Sequence, residues 1–348
     1  MKILFISRSI NPPWTEGVKN TIKLIVENIN NHNFIIPTKE EFSFNLENVE
    51  EWPISKEEES FKVPLKSKIN LFKNLILNKE IDAYHLFGMP KKHSSTLIKY
   101  FSKKRNKKTI QTLSNIEDKE SKKLYFADKI IVMSKHSQNK LKELEIDSEV
   151  IYPSIDLEEF TNIKDYRKEL NIKKERVILY AGDLDKDTTQ NLINIILNSS
   201  KKIKFIIAVR NKTKEIIHNK QILKNKVKEQ NLKNIIFVKR ADMPKLINTS
   251  DIVIFPVKKI TSKLDIPMIL LEALALKKPI LVSNNPILKE ILTHKAGYSL
   301  EIEKFPEEIK RLTQKEINSL SKNCQKIIKE NFDKEVMIKK YKEIYDQL

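Results

Sequence analysis

Short apolar runs rich in Ile and Val alternate with helical periodicity from one end of the chain to the other, and few folds accommodate that rhythm. Strands that alternate with helices form parallel sheets covered by helices on both faces. The strands predicted in the first half are residues 2–7, 34–37, 81–87, 109–113, 129–134 and 149–152. Those predicted in the second half are residues 176–181, 204–209, 235–238, 251–255 and 279–283. The sequence therefore predicts an α/β protein.

The chain is predicted to contain two doubly wound domains in tandem. Its 348 residues exceed the size at which single hydrophobic cores stop growing. A charged stretch over 154–174 has no apolar alternation and separates the two series of strands. We expect domains at 1–158 and 159–334, and a helix at 335–348 that packs back toward the first domain. The locally acidic stretch 40–59 interrupts the rhythm, which indicates a surface excursion or a mobile loop over the cleft.

Glycine and cysteine usage excludes several functional classes. Four glycines cannot build a P-loop or a GxGxxG dinucleotide fingerprint. The single cysteine, Cys324, excludes an intramolecular disulfide and a cysteine-based metal site, and favours a reducing compartment. No apolar run approaches the length of a membrane span, and the first residues lack the features of a signal peptide. We therefore expect a cytoplasmic protein.

The net charge of +19 suggests an anionic partner, although the excess is mostly Lys in a chain that is also rich in Asn and Ile, as AT-biased codon usage would produce. A nucleic-acid binder is disfavoured because the sequence has no RNP-like aromatic pattern, helix-turn-helix or zinc module. No HEXXH motif is present, and we expect no metal and no cofactor.

Ligands of parallel sheets bind beyond the carboxyl ends of the strands, so candidate binding and catalytic residues are expected at those positions. A helix that begins at Gly17, after the first strand, would aim free N–H groups at an anion or a sugar hydroxyl, but an ordinary turn explains this glycine equally well. His85, near the end of the strand IDAYHLF, could act in proton transfer or could be a structural histidine.

The strongest local signal is the segment SKLDIPMILLEALALKKPILVS, residues 262–283. Its helix is expected to begin near Pro267 and to bury several leucines. Glu272 lies among them, where an unpartnered carboxylate would be costly, so it should meet a ligand or a hydrogen-bond partner. Asp265, just before the helix, can either cap it or face the cleft.

This segment resembles the LLEAMA-x-G-x-PV segment of the retaining nucleotide-sugar glycosyltransferases of family 4, which have the GT-B fold of two Rossmann-like domains facing across a cleft. Other segments resemble the family in the same order, so the resemblance covers nearly the whole chain: the opening MKILFIS with its Gly17 loop, DAYHLF, ADKIIVMSKHSQNKL, VIYPSIDLEEF, VILYAGDL, IIFVKRADMPKLINTSDIVIFP and the closing NFDKEVMIKKYKEIYDQL.

The resemblance implies a role for several residues. Glu272 matches the second of the family's two acidic residues, which holds the donor ribose, whereas the position of the first is Leu264 and Asp265 is its candidate substitute. The family's Arg and Lys that neutralise the donor diphosphate are replaced by Asp183 and Thr188. The remaining candidates are cations, namely Lys186, Lys239, Arg240 and Lys263, with Arg210 as a further one. His85 and Asp265 are the catalytic candidates, and Gly17 and Glu272 complete the substrate-binding ones.

The resulting hypothesis is a retaining glycosyltransferase that moves a sugar from a nucleotide diphosphate to a glycan or a lipid-linked acceptor. The alternatives are a non-catalytic GT-B protein that binds a sugar nucleotide and a nucleotide-sugar epimerase. A basic stretch at Lys91, Lys92 and 103–108, with Tyr100 and Phe101 beside it, could hold the protein at the anionic inner membrane face, or could be solvated surface.

Overall fold

The computed structural model describes residues 1–14, 16–55, 65–78, 80–116, 121–238, 242–260 and 264–348. Their chain divides into two compact units, each built on a parallel sheet of the Rossmann type. The first unit holds Met1–Pro153, a short segment that ends at Asp265, and the C-terminal Lys334–Leu348. The second holds Ser154–Ile260 and Ile266–Asp333. No helix among the described residues is long and apolar enough to cross a membrane.

The first unit has a sheet whose strand order is β3-β2-β1-β4-β5-β6-β7, and each adjacent pair is parallel. The strands are β1 (Lys2–Ile6), β2 (Asn33–Lys39), β3 (Val49–Ser55), β4 (Ala83–Phe87), β5 (Lys108–Leu113), β6 (Lys129–Val132) and β7 (Glu149–Val150). The helices are α1 (Gly17–Asn28), α2 (Leu65–Leu77), α3 (Lys92–Arg105), α4 (Lys135–Glu143) and α12 (Lys334–Asp346). The order reverses between β1 and β4, and in such sheets ligands bind at that switch point.

The second unit has a six-stranded parallel sheet in the order β10-β9-β8-β11-β12-β13. Its strands are β8 (Val177–Ala181), β9 (Lys204–Ala208), β10 (Ile235–Val238), β11 (Ile252–Phe255), β12 (Ile280–Ser283) and β13 (Gly297–Leu300). Its helices are α5 (Lys186–Asn198), α6 (Lys214–Glu229), α7 (Met243–Thr249), α8 (Met268–Ala275), α9 (Pro286–Lys289), α10 (Phe305–Arg311) and α11 (Gln314–Ile327). Here the switch point lies between β8 and β11.

Both sheets are buried as parallel sheets require. All five residues of β4 and of β8 are buried, as are all four of β11 and of β12. Most helices of the second unit begin at a polar N-cap residue whose side chain accepts a backbone N–H of the first turn. Asp185 caps α5 by accepting the backbone N–H of Thr188 at 2.7 Å, and Thr313 forms a capping box with Glu316 on α11.

The acidic stretch 40–59 is more ordered than the sequence predicts. Residues Val49–Ser55 within it form β3, the edge strand of the first sheet, which pairs in parallel with β2. Val49, Trp52 and Ile54 are buried. Pro53 is tolerated because an edge strand leaves one row of backbone groups unpaired. The expectation of a surface excursion or a mobile loop was therefore wrong for this part, and residues 56–59 lie outside the described residues.

Candidate functional site

The carboxyl edge of the second sheet gathers the loops that follow β8, β9 and β11. The loop after β8 begins at Gly182 and continues through Asp183 to α5. The loop after β9 carries Arg210 and Lys212. Helix α8, which bears Glu272, follows the connection from β11. Since β8 and β11 flank the switch point, this edge is the site where a Rossmann-type sheet binds its ligand.

Glu272 is a titratable carboxylate in an apolar helix. Its neighbours Leu270, Leu271, Ala273 and Leu274 are fully buried, while Glu272 itself keeps part of its surface exposed. Burial raises the pKa of this carboxyl group to about 7, with a further rise from Glu159, while the positive charge of Arg210 acts in the opposite direction. The described residues give its carboxylate no hydrogen bond. A group of this kind is available to a ligand hydroxyl at neutral pH.

Arg210 is the cation that acts electrostatically on Glu272. It is exposed at the carboxyl end of β9. An exposed guanidinium beside a half-ionised carboxylate offers donors to a phosphate next to an acceptor for hydroxyl groups. The two side chains thus supply the two kinds of contact that a nucleoside diphosphate needs.

The loop after β8 differs from a simple phosphate cradle because its carboxylates are already engaged. Asp183 forms an ion pair with Lys212, whose Nζ lies 2.9 Å from Oδ1, and both side chains are largely buried. Asp185 is used as the cap of α5. Lys186, the first residue of α5, is exposed. At the positions of the family's Arg and Lys the chain therefore carries an acid paired with a cation from another loop, and a buried Thr188 whose N–H is capped.

Three of the cations proposed from the sequence, Lys239, Arg240 and Lys263, lie outside the described residues. Their role stays a prediction.

The candidate residue Gly17 lies in the first unit, as the first residue of α1. The preceding residue, Glu16, forms an ion pair with Arg8 from the loop after β1. Glu16 does not cap α1 with its side chain. The helix therefore begins where the sequence predicts.

Asp265 is fully buried in the first unit. Its Oδ2 accepts a hydrogen bond of 2.6 Å from the hydroxyl of Ser134, which in turn accepts the N–H of Ser137 and so caps α4. The backbone N–H of Asp265 also donates to the carbonyl of Ser114. The N-cap position of α8 is Pro267, and no side chain caps the helix with a hydrogen bond. The expectation that Asp265 caps α8 was therefore wrong, because Asp265 instead bonds to Ser134, the cap of α4. Its buried position favours a structural role over contact with a substrate.

His85 is also fully buried, between the hydroxyl groups of Tyr345 and Thr112. Nδ1 lies 2.9 Å from Tyr345 Oη, and Nε2 lies 2.8 Å from Thr112 Oγ1. Burial lowers the pKa of its imidazole to about 3. A ring that stays neutral and has both nitrogens engaged is not exposed to a substrate, so the structure favours the structural interpretation of His85.

Two side-chain pairs at these sites join residues that are far apart in the sequence and were not predicted. Lys212 pairs with Asp183 across 29 residues, and Ser134 bonds to Asp265 across 131 residues. The only local signal was that Ser134 stands at a helix start, in MSKHS, which is a typical capping position. Nothing in the sequence singles out Lys212 among so many lysines. Among the described residues, no group of three His, Cys, Asp or Glu side chains could hold a metal ion.

Comparison with known proteins matches most of the second unit to a known family. Residues 175–315 match the family "Glycosyl transferases group 1", and they contain the loops after β8, β9 and β11 as well as Glu272. The match supports a glycosyltransferase of the group 1 type. A relative from Methanocaldococcus jannaschii, an uncharacterized glycosyltransferase, is 28% identical over 277 residues, which are 74% of this chain and 67% of the relative.

Solved structures resemble the whole chain. The Anabaena protein Alr3699/HepE, crystallised with UDP and glucose, has a TM-score of 0.79 at 17% identity, and all of each chain is covered. A sucrose-phosphate synthase from Thermosynechococcus elongatus has a TM-score of 0.79 at 15% identity, covering 99% of this chain and 98% of that one. A glycosyltransferase from Rickettsia africae has a TM-score of 0.77 at 17% identity over 99% of this chain and 98% of that one. The fold is that of the GT-B glycosyltransferases.

Proposed function

We propose that the protein is a retaining glycosyltransferase that takes a sugar from a nucleotide diphosphate and transfers it to a glycan or a lipid-linked acceptor. The observation that carries the proposal is Glu272, a partly exposed carboxylate with no hydrogen bond from the described residues, inside the segment that matches the group 1 family. Two solved structures of similar fold contain UDP-glucose or UDP with glucose. UDP-linked sugars are therefore the first donors to test.

The proposed chemistry requires groups that bind the two ends of the donor. Glu272 would accept hydrogen bonds from the ribose hydroxyls, and each bond to a charged group contributes on the order of 1.5–3 kcal/mol. The leaving diphosphate develops negative charge as the glycosidic bond breaks, and cations stabilise it. Arg210 and Lys186 are exposed cations at this edge, and Lys239, Arg240 and Lys263 remain predicted ones.

The donor is tested by a thermal-shift panel of UDP-, GDP-, ADP- and CMP-sugars. A ligand at about 100 times its dissociation constant stabilises the folded state by roughly 2.7 kcal/mol. The proposal expects one nucleotide class to raise the melting temperature, and a proton NMR assay to show a product with the anomeric configuration of the donor. No shift with any of the four classes would contradict it.

A second function is favoured by one observation, the ion pair of Asp183 with Lys212. It places a negative charge where the family has a diphosphate-binding Arg, as expected of a GT-B protein that binds a sugar nucleotide without transferring the sugar. Slow hydrolysis of the donor in the absence of an acceptor distinguishes the two. A protein that binds the donor but never releases nucleoside diphosphate is non-catalytic.

We further propose that the enzyme works as a cytoplasmic protein held at the inner membrane face by α2 and α3. These helices pack side by side, with the Phe72 and Phe101 rings 5.7 Å apart and Arg105 donating to carbonyl groups at the end of α2. Neither helix contains an acidic residue. Four of their large apolar side chains are exposed: Ile69, Ile76, Leu77 and Tyr100. Basic and apolar groups on one surface suit an anionic bilayer. Phe101 packs inward and does not contribute.

Vesicle co-sedimentation tests the membrane proposal. The wild type should bind anionic but not neutral vesicles, and about 0.5 M salt should release it because screening weakens charge attraction. Ile76→Glu combined with Leu77→Glu should abolish binding. The matched control is Ile217→Glu with Ile222→Glu on α6, two side chains of similar exposure in the second unit. Equal binding to both kinds of vesicle would refute the proposal.

A further inference from the structure

A basic groove lies in the second unit at the edge of the sheet opposite to the proposed donor site. It encloses about 1080 Å³ and is lined by the turns that precede β8, β9 and β10, together with α10. Parallel strands bring all their amino ends to one edge, so these separate turns meet there. Backbone bonds fix them together, since Lys204 N–H donates to Arg176 O and Phe205 N–H donates to Asn234 O.

The ratio of basic to acidic residues is higher in the groove than in the protein as a whole. Eight of its fourteen lining residues are Lys or Arg and one is acidic, whereas the chain has 65 basic and 46 acidic residues. A lysine-rich composition alone does not produce this ratio. The groove is therefore a local concentration of positive charge.

Most of these cations have no acidic partner. The acid of the groove, Glu175, is 3.9 Å from Lys204, and Arg176 donates to the carbonyl of Ile309. The other six are exposed and form no ion pair with the described residues: Lys173, Lys174, Lys201, Lys202, Lys233 and Lys310. Like charges held in one concavity repel each other and destabilise the fold, and a bound anion would relieve that repulsion.

The remaining lining residues limit the chemistry of the ligand. None of the fourteen is aromatic, so the groove lacks the platforms on which nucleic-acid bases stack. Ile203 is buried and Leu232 packs against the core, so no large apolar side chain is presented to a lipid. What remains is a set of ammonium groups that can each neutralise a phosphate.

We propose that the basic groove binds a phosphate chain, a linear anion with several phosphate groups and neither a base nor an acyl tail. The six unpaired lysines come from four chain segments, so they can contact successive phosphates along such a chain. The site is separate from Glu272 and Arg210, which belong to the carboxyl edge of the same sheet. It is thus a second anion site, beyond the proposed transfer reaction.

Titration calorimetry with long-chain inorganic polyphosphate tests the proposal. The test variant is Lys201→Glu with Lys202→Glu, two exposed turn residues whose side chains form no hydrogen bond or ion pair with the described residues. The matched control is Lys315→Glu with Lys322→Glu on α11, which makes the same charge change in the same unit outside the groove. Binding should weaken by about tenfold or more in the test variant and by less than about twofold in the control, and it should fall steeply with salt.

Two further measurements keep the result unambiguous. The melting temperature of each variant shows that it is folded, and a single-stranded oligonucleotide of equal charge serves as a competing probe. Polyphosphate binding that is lost in the groove variant, and only weakly competed by the oligonucleotide, supports the proposal. Equal loss in both variants, no binding by the wild type, or tighter binding of the oligonucleotide overturns it.

Discussion

At the scale of single residues, Glu272 shows how position on an element creates chemistry. On an exposed helix face its carboxyl group would be ionised at neutral pH, hydrated, and without a specific ligand. Among buried leucines on α8, its pKa rises to about 7 and it stands beside Arg210. Burial of Glu272 lowers the stability of the fold when its carboxyl group is ionised. The same burial gives a hydrogen-bond acceptor whose charge changes near neutral pH.

Glu272→Gln should make the ligand-free protein less sensitive to alkaline pH. The folded-state pKa of Glu272 is raised above its unfolded value, so the unfolded state releases the proton first and stability falls as pH rises from about 4.5 to about 7. Gln cannot ionise and removes that loss. The melting temperature of the variant should exceed that of the wild type at about pH 8 and approach it near pH 4.5. An identical difference at both pH values would show that Glu272 does not titrate in this range.

Gly297→Ala should destabilise the protein severely. A Cβ at Gly297 would lie 1.8 Å from the carbonyl oxygen of Ile280, on the paired strand β12, and backbone cannot yield as a side chain can. We expect a loss of about 3 kcal/mol or more, measured by urea denaturation. Ser299→Ala on the same strand is the control and should cost far less. Wild-type stability of Gly297→Ala would mean that β13 does not pair with β12 as described.

Among the secondary-structure elements, the C-terminal helix α12 is part of the first unit although it is last in the chain. Its Tyr341 and Tyr345 are fully buried. Tyr345 bonds to His85, and Tyr341 lies 3.2 Å from the hydroxyl of Thr112, which also bonds to His85. A histidine that looks catalytic in sequence thus joins α12 to strands β4 and β5.

Tyr345→Phe should leave His85 Nδ1 without its partner and lower the free energy of unfolding by roughly 1–3 kcal/mol, measured by urea denaturation.

The pH dependence of wild-type stability provides an independent measurement of the state of His85. Because the folded pKa of His85 is lowered to about 3, the unfolded state alone takes up a proton below about pH 6.5, and stability falls by roughly 1 kcal/mol per pH unit as pH drops toward 3. A His85→Gln variant should lose this acid sensitivity. If it keeps the wild-type slope, His85 is not buried as a neutral ring.

The periodicity predicted every strand except β3 and β13, and both of these are edge strands. Strands β8 and β11 are continuous apolar runs because both faces of a parallel sheet are buried, and β1 and β4 are mostly apolar for the same reason. The edge strands β3 and β13 carry Glu50, Pro53 and Gly297, which conceal the strand pattern. The buried surroundings of Glu272 were predictable because they are formed by its neighbours on the same helix. The Asp183–Lys212 pair was not predictable because it depends on which loops the fold brings together.

For the molecule as a whole, the proposed transfer relies on protein groups of the second unit alone to bind the donor. Transfer supported only by cations such as Arg210 needs no metal ion. Turnover, once a donor and an acceptor are identified, should therefore persist in excess chelator. Loss of activity on chelation, with recovery on adding a divalent cation, would contradict this expectation.

The proposed binding of the donor nucleotide by Glu272 is tested by titration calorimetry with the nucleotide sugar that stabilises the protein most. Glu272→Gln is compared with Glu303→Gln, an exposed neutralisation in the same unit. We expect about tenfold or greater loss of affinity in Glu272→Gln alone, and wild-type affinity that rises from about pH 6 to about pH 8 as the carboxyl group ionises. Equal affinity of all three proteins, with no dependence on pH, would contradict it.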